Sequence, residues 1–157
     1  MEETLVKREE SVGVILDGVA GMFYPGDART ENVFVLQRKG IIKIALRAGA
    51  CIVPVYGFGH TKLWTIVTDP FGFLRSLSIK LDTSIVLCLG RWGWPLGAAK
   101  RSPVTIALGE PIDCPKLDAP TNQQVEEYHA RLLDGYRALF KAHKAACGEA
   151  EKELKFV

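Results

Sequence analysis

Arg38, Lys39, Lys43 and Arg47 are the first residues of this chain whose types and spacing could do chemistry. Lys39, Lys43 and Arg47 recur every four residues, which places three cations on one face of a helix. Clustered cations meet phosphates. The same spacing is also the ordinary pattern of a solvated helix face, and from composition alone that plainer reading prevails. Further on, His60 follows Phe58-Gly59. An imidazole projecting into a cleft at a strand end acts as a general base if a hydroxyl comes within hydrogen-bond reach. A lone histidine is a weak sign of catalysis, and an ordinary polar turn residue is the favoured reading. His129 and His143 fall in a long helical pattern and read as packing or capping residues.

Other chemistries lack their signatures. The three histidines show no metal-ligand spacing, and no Gly-x-Ser-x-Gly elbow or Walker loop occurs. No catalytic residue and no metal ligand is assigned. Cys51, Cys88, Cys114 and Cys147 are too widely spaced for a zinc motif or a Cys-x-x-Cys pair. They read as reduced thiols, most of them packed as small hydrophobes. Gly90-x-x-Gly93 and Gly93-x-x-x-Gly97 surround Arg91, a weak signal. Trp64, Phe71, Phe73, Trp92 and Trp94 fit either a core or a patch that dips into lipid headgroups, and both readings stay open.

These residues need elements to position them. Glu2 to Glu10 is charged and helix-compatible, the tail of an upstream helix. Ser11–Leu16, Val33–Gln37, Cys51–Tyr56, Ile85–Leu89 and Val104–Leu108 are short apolar runs, expected as strands. Breaker clusters stand at Asp17–Gly21 and Tyr24–Asp27. Arg38 to Ala48 is expected as a helix, with Gly49 just past its end. The clearest element begins at Thr121, where Gln124 completes a capping-box pattern. From there Val125, Tyr128, Leu132, Tyr136, Leu139 and His143 step by threes and fours, and Gly148 marks the stop. Alternating strands and helices give an α/β class: about five strands, two or three helices and one domain over residues 1–157.

Bulk properties narrow the function classes. With 157 residues the chain can bury one sizeable core. A net charge of +2 is too small to argue for nucleic acid. No uncharged apolar run reaches the ~18 residues of a membrane span. Met1-Glu2-Glu3 does not open a signal peptide.

Several blocks together resemble the type-2 diacylglycerol acyltransferase family, which includes monoacylglycerol and wax-alcohol acyltransferases. Arg38-Lys39-Gly40, then Ala45, Gly49, Val53-Pro54 and Phe58-Gly59 follow the order of one family block. Gly109-Glu110-Pro111-Ile112 with Pro115-Lys116 and Pro120-Thr121 is similar to the next. His129, Leu139-Phe140, His143-Lys144 and Gly148 are similar to the family's C-terminal helix. Val14 to Phe23 and Gly90-Arg91-Trp92-Gly93 resemble two further segments. The resemblance runs from about Ser11 to the end.

It implies a glycerolipid-acyltransferase-like fold: a mixed sheet flanked by helices, with a long C-terminal helix. It also implies acyl transfer from acyl-CoA, a co-substrate rather than a cofactor, to a lipid alcohol such as diacylglycerol. A membrane surface, the endoplasmic reticulum and triacylglycerol synthesis follow from the same likeness. Arg38, Lys39 and Lys43 are then expected to help hold CoA phosphates or lipid headgroups. The family's His-Pro-His-Gly element lies upstream of everything matched, and no such tetrapeptide occurs here. Asp17, Gly21 and His60 depart from the family pattern. The chain is therefore expected to correspond to the C-terminal portion of a family member. The alternative expectation is a non-catalytic lipid-interaction or regulatory module on the same fold. An isolated Ser11–Leu16 edge would make the chain poorly soluble or membrane-associated.

Overall fold

Residues 4–5, 10–16, 27, 29–67, 76–77, 80–81, 87–95 and 97–157 are described by the computed structural model of the chain. In chain order they form strand β1 (Thr30–Val33), helix α1 (Gly40–Ala48), strands β2 (Val55–Phe58), β3 (Thr65–Ile66), β4 (Cys88–Leu89) and β5 (Thr105–Leu108), helix α2 (Asn122–His143) and strand β6 (Glu153–Phe156). Single 3-10 turns stand at His60–Lys62 and Arg91–Gly93.

The α/β class and the long C-terminal helix are as the sequence indicates. The expected turn at 17–26 and residues 68–75 lie outside the described residues.

Helix α2 forms where its cap dictates. Thr121 Oγ1 accepts from the Gln124 backbone N–H at 3.3 Å, and Gln124 Oε1 accepts from the Thr121 N–H at 2.8 Å. The capping box satisfies two donors that would otherwise be orphaned. The helix ends at His143, five residues before Gly148, which takes φ 72° in the turn that follows. Its buried stripe is Val125, His129, Leu132, Leu139 and Phe140.

Helix α1 starts at Gly40, two residues later than the sequence pattern suggests, with Lys39 as N-cap. Gly49 caps its end in the left-handed region at φ 68°. Ile42, Ala45 and Leu46 are its buried face, and they pack against α2 in the main core with Val35, Phe58, Leu132 and Phe140.

The strands pair two by two. β1 runs parallel to β6, β2 antiparallel to β5, and β3 antiparallel to β4. Several expected strand positions are displaced. The run 33–37 gives way to β1 at 30–33, because its partner β6 registers Thr30 with Glu153 and Val33 with Phe156 and then stops. Beyond Val33 the chain turns, with Val35 N–H donating to Val33 O at 3.1 Å. Val35 stays fully buried without belonging to a strand.

Cys51–Tyr56 resolves into β2 at 55–58, preceded by a single antiparallel bridge between Ile52 and Ile112. That segment is not buried on both faces: Val53 and Val55 are 41% and 47% exposed, whereas Pro54 and Phe58 are inside. Ser11–Leu16 forms no strand, and Ile15 is 89% exposed. Ile85–Leu89 contributes only β4, with 85 and 86 outside the described residues. β5 starts one residue later than expected, at Thr105, and β6 carries no sequence signal that we read.

Beyond β2 the chain reverses at Gly59, whose φ of 81° favours glycine. A Cβ there would also overlap the Pro103 carbonyl oxygen, so the turn fits tightly against the approach to β5.

Candidate functional site

The basic residues gather at the start of α1. Arg38 and Lys43 are exposed and Lys39 is partly buried. No side chain caps this helix and no acidic residue stands in its first turn, so its terminal N–H groups add partial positive charge to the cations. The segment before it is anchored on α2 in two places. His129, 4% exposed, donates from Nε2 to Val35 O at 2.9 Å. Lys39 Nζ donates to Glu126 Oε1, and that hydrogen bond holds the Glu126 carboxyl below its ordinary range. Of the three expected binding residues, Lys39 is thus engaged in an ion pair with Glu126, while Arg38 and Lys43 are exposed. The arrangement can accept a phosphate or carboxylate at a helix N-terminus.

The second feature is the turn after β2. His60 opens the 3-10 turn and is exposed. Its Nδ1 donates to Gly57 O at 2.5 Å. Beneath it, Tyr56 meets Phe58 edge-on at 4.8 Å between centroids, and Phe58 stacks on Phe140 of α2 at 5.5 Å. His60 is therefore a turn residue bonded to its own loop, as its lone occurrence suggests. His129 is a satisfied core residue, and His143 is the exposed last residue of α2.

A third cluster carries no sequence signal that we read. Glu31 of β1 and Glu149 are both 4% exposed. Lys152 Nζ donates to Glu31 Oε2 at 2.5 Å. Glu149 Oε1 lies 3.6 Å from Lys62 Nζ and 3.8 Å from Lys152 Nζ, ion-pair distances too long for hydrogen bonds. Lys144 Nζ donates to Lys152 O at 2.8 Å. Alternation in β1 places Glu31 on the same inward side as Val33 and was the available clue. The cluster ties the C-terminal strand to β1 and to the turn after β2. Its charges compensate one another, a structural role.

An apolar cleft of about 130 Å³ opens beside α1, lined by Leu16, Ile41, Ala45, Cys51, Ile52 and Leu132, among others. Cys51 is exposed on its wall, Cys114 is buried, and Cys88 and Cys147 are intermediate. Burial pushes the Cys114 thiol up, with a smaller contribution from Cys51. The aromatic residues left open by the sequence are placed outside the core where they are described: Trp64, Trp92 and Trp94 are 39%, 83% and 69% exposed. Among the described residues, no helix is long and apolar enough to cross a membrane, and no group of three His, Cys, Asp or Glu could hold a metal ion.

Comparison with known proteins agrees with the block pattern. The family model described as diacylglycerol acyltransferase matches residues 1–157. Diacylglycerol O-acyltransferase 2 of Dictyostelium discoideum is 35% identical over 152 residues, covering 90% of this chain and 45% of that protein. Bovine 2-acylglycerol O-acyltransferase 1 is 36% identical over 151 residues, with 91% and 45% covered. Mouse acyl-CoA wax alcohol acyltransferase 2 is 30% identical over 149 residues, with 89% and 44% covered. The chain spans less than half the length of these relatives. No solved structure matches it significantly. A match along the whole chain shows that the chain belongs to the diacylglycerol acyltransferase family.

Proposed function

We propose that this chain forms the substrate side of an acyl-CoA-dependent O-acyltransferase of glycerolipid synthesis, acting at the endoplasmic reticulum membrane. In this reading the lipid hydroxyl attacks the thioester carbonyl of acyl-CoA, a tetrahedral intermediate forms, and CoA leaves as the thiol. The proton of the hydroxyl passes to a histidine base of the family's His-Pro-His-Gly type, a tetrapeptide that does not occur among these 157 residues. Arg38, Lys39 and Lys43 take the CoA phosphates or a lipid headgroup at the start of α1, with Lys39 held in register by Glu126. The cleft beside α1 takes part of the acyl chain, since its wall carries Leu16, Ile41, Ile52 and Leu132. The observation that supports the reading is the whole-chain family match together with the order helix, capping glycine and strand between Gly40 and Phe58.

The test uses a chimera in which this chain replaces the matching half of the Dictyostelium relative, and a thioether analogue of palmitoyl-CoA as ligand. The expected result is transfer of a labelled acyl group to diacylglycerol by the chimera. Binding of the analogue to the 157-residue chain should weaken about tenfold in Arg38→Ala/Lys43→Ala, on the scale of losing charge-assisted contacts. A folded but inactive chimera, with no binding of the analogue, would overturn the proposal. Vesicle binding without any transfer would instead favour a lipid-interaction module on the same fold.

A further inference from the structure

We propose that the turn around Trp92 and Trp94 is a docking wedge for an anionic phospholipid surface. Both indoles would sit in the headgroup layer, with Arg91, Lys100 and Arg101 over lipid phosphates. The inference stands apart from the acyl-transfer reading, because it rests on a different part of the molecule.

Trp92 and Trp94 are 83% and 69% exposed, an unusual placement for the largest apolar side chains. The exposure belongs to an ordered turn. Gly90 N–H donates to Trp94 O at 3.0 Å, Arg91 N–H to Ala98 O at 2.7 Å, and Gly97 N–H to Trp94 O at 3.2 Å. Trp64 Nε1 donates to Gly97 O at 3.3 Å and supports the turn from below. Gly90 is required by the closeness of this packing, since a Cβ there would overlap the carbonyl of Ala98.

Trp92 itself sits at φ 63°, ψ 15°, the one non-glycine residue at positive φ among the described residues. That conformation is disfavoured for any residue with a Cβ. The fold thus holds a strained backbone whose outcome is an indole pointed into solvent. An indole combines an apolar body with an N–H donor, the chemistry of the membrane–water interface.

Charge chooses the partner. No acidic residue occurs between Asp82 and Glu110, while Arg91, Lys100 and Arg101 fall inside that interval. The Arg91 guanidinium lies 5.4 Å from the Trp92 ring centroid, so a cation flanks the aromatic tip. Lys100 Nζ donates to the neutral Thr65 hydroxyl, which leaves its charge uncompensated by that partner. A second copy docking through the same surface would bring like cations together. A phosphatidylserine-bearing bilayer supplies both the apolar interface and the negative potential.

The experiment is co-sedimentation of the 157-residue chain with phosphatidylcholine vesicles, with and without phosphatidylserine. Fluorescence quenching by brominated acyl chains reports the depth of the indoles. The expected result is binding to phosphatidylserine vesicles that weakens with added salt, with quenching that disappears in Trp92→Ser/Trp94→Ser. That variant should bind about tenfold more weakly, in line with the loss of interfacial apolar area. Arg91→Gln, Lys100→Gln and Arg101→Gln should each cost about fivefold on anionic vesicles and little on neutral ones.

Trp92→Gly separates docking from folding. It relieves the positive-φ strain, so its melting temperature should hold or rise while its vesicle affinity falls. Unchanged vesicle binding in the double variant, absence of binding in the parent chain, or a tryptophan-dependent dimer in lipid-free buffer would each overturn the proposal.

Discussion

Single side chains here differ in how far their neighbours decide them. Cys51 and Cys114 are the same residue type with opposite surroundings: one lines an open cleft, and the other is buried with its thiol pushed up by that burial. Because the thiolate is the reacting form, a disulfide reagent at about pH 8 should modify Cys51 in the folded chain and reach Cys114 only after denaturation. Counting thiols before and after guanidinium checks this. A bound acyl-CoA analogue should slow the Cys51 reaction if the cleft holds the acyl chain. His129 shows the other limit of context. Its Nε2–H serves the carbonyl of the fully buried Val35, so His129→Ala leaves an acceptor without its donor and a void beside it. The expected loss is about 2–3 kcal/mol of unfolding free energy, measured by urea denaturation. That His129 falls in the long helix as a packing or capping residue was legible from the sequence, although the expected apolar stripe ran through Tyr128 and not through His129. Its partner, 94 residues away, was not.

Elements show which signals act locally. The capping box at Thr121 and Gln124 involves residues three apart, and the pattern therefore reads directly from the chain. Thr121→Ala should cost about 1 kcal/mol of stability, visible as a lowered thermal midpoint. Asp27 acts in the same local manner ahead of β1, where its carboxylate accepts the Arg29 and Thr30 N–H groups at 2.7 Å each. Those backbone hydrogen bonds hold its pKa below the ordinary carboxylate range, as the Lys39 hydrogen bond does for Glu126. In both cases the unfolded chain binds the proton more readily. The stabilisation is present above the unfolded values near pH 4 and is lost as pH falls through the folded ones. Thermal midpoints followed from about pH 6 to pH 3 should therefore decline, and Glu126→Gln should flatten part of that slope. Strand boundaries were less legible than helix caps, because pairing partners set them. The apolar run 33–37 contains good strand formers, but β6 pairs with residues 30–33 and the run bends into the core instead.

The whole molecule is held by contacts between its most distant segments. Glu31 and Lys152 are 121 residues apart and meet almost without solvent, 5% and 13% exposed at their side chains. Removing one partner of a buried pair strands the other charge, so Lys152→Met should cost about 3 kcal/mol or more. The double change Glu31→Leu/Lys152→Met should recover part of that loss, because the buried Glu149 is then left with Lys62 as its cation, and denaturation of the two variants side by side decides it. At this scale the amino-acid pattern settles the features whose physics is local or compositional. These are the α/β class, the capped helix α2, the glycine closing α1 and the family block from Arg38 to Gly59. Each depends on neighbours within a few residues or on order along the chain. Tertiary structure alone decides that Glu31, Glu149, Lys62 and Lys152 share a buried cluster, that Lys39 is tied to Glu126 while Arg38 and Lys43 stay exposed, and that Trp92 and Trp94 face outward. Burial and charge pairing arise only when segments far apart in sequence close on one another, and no local spacing encodes which side of a turn will meet water.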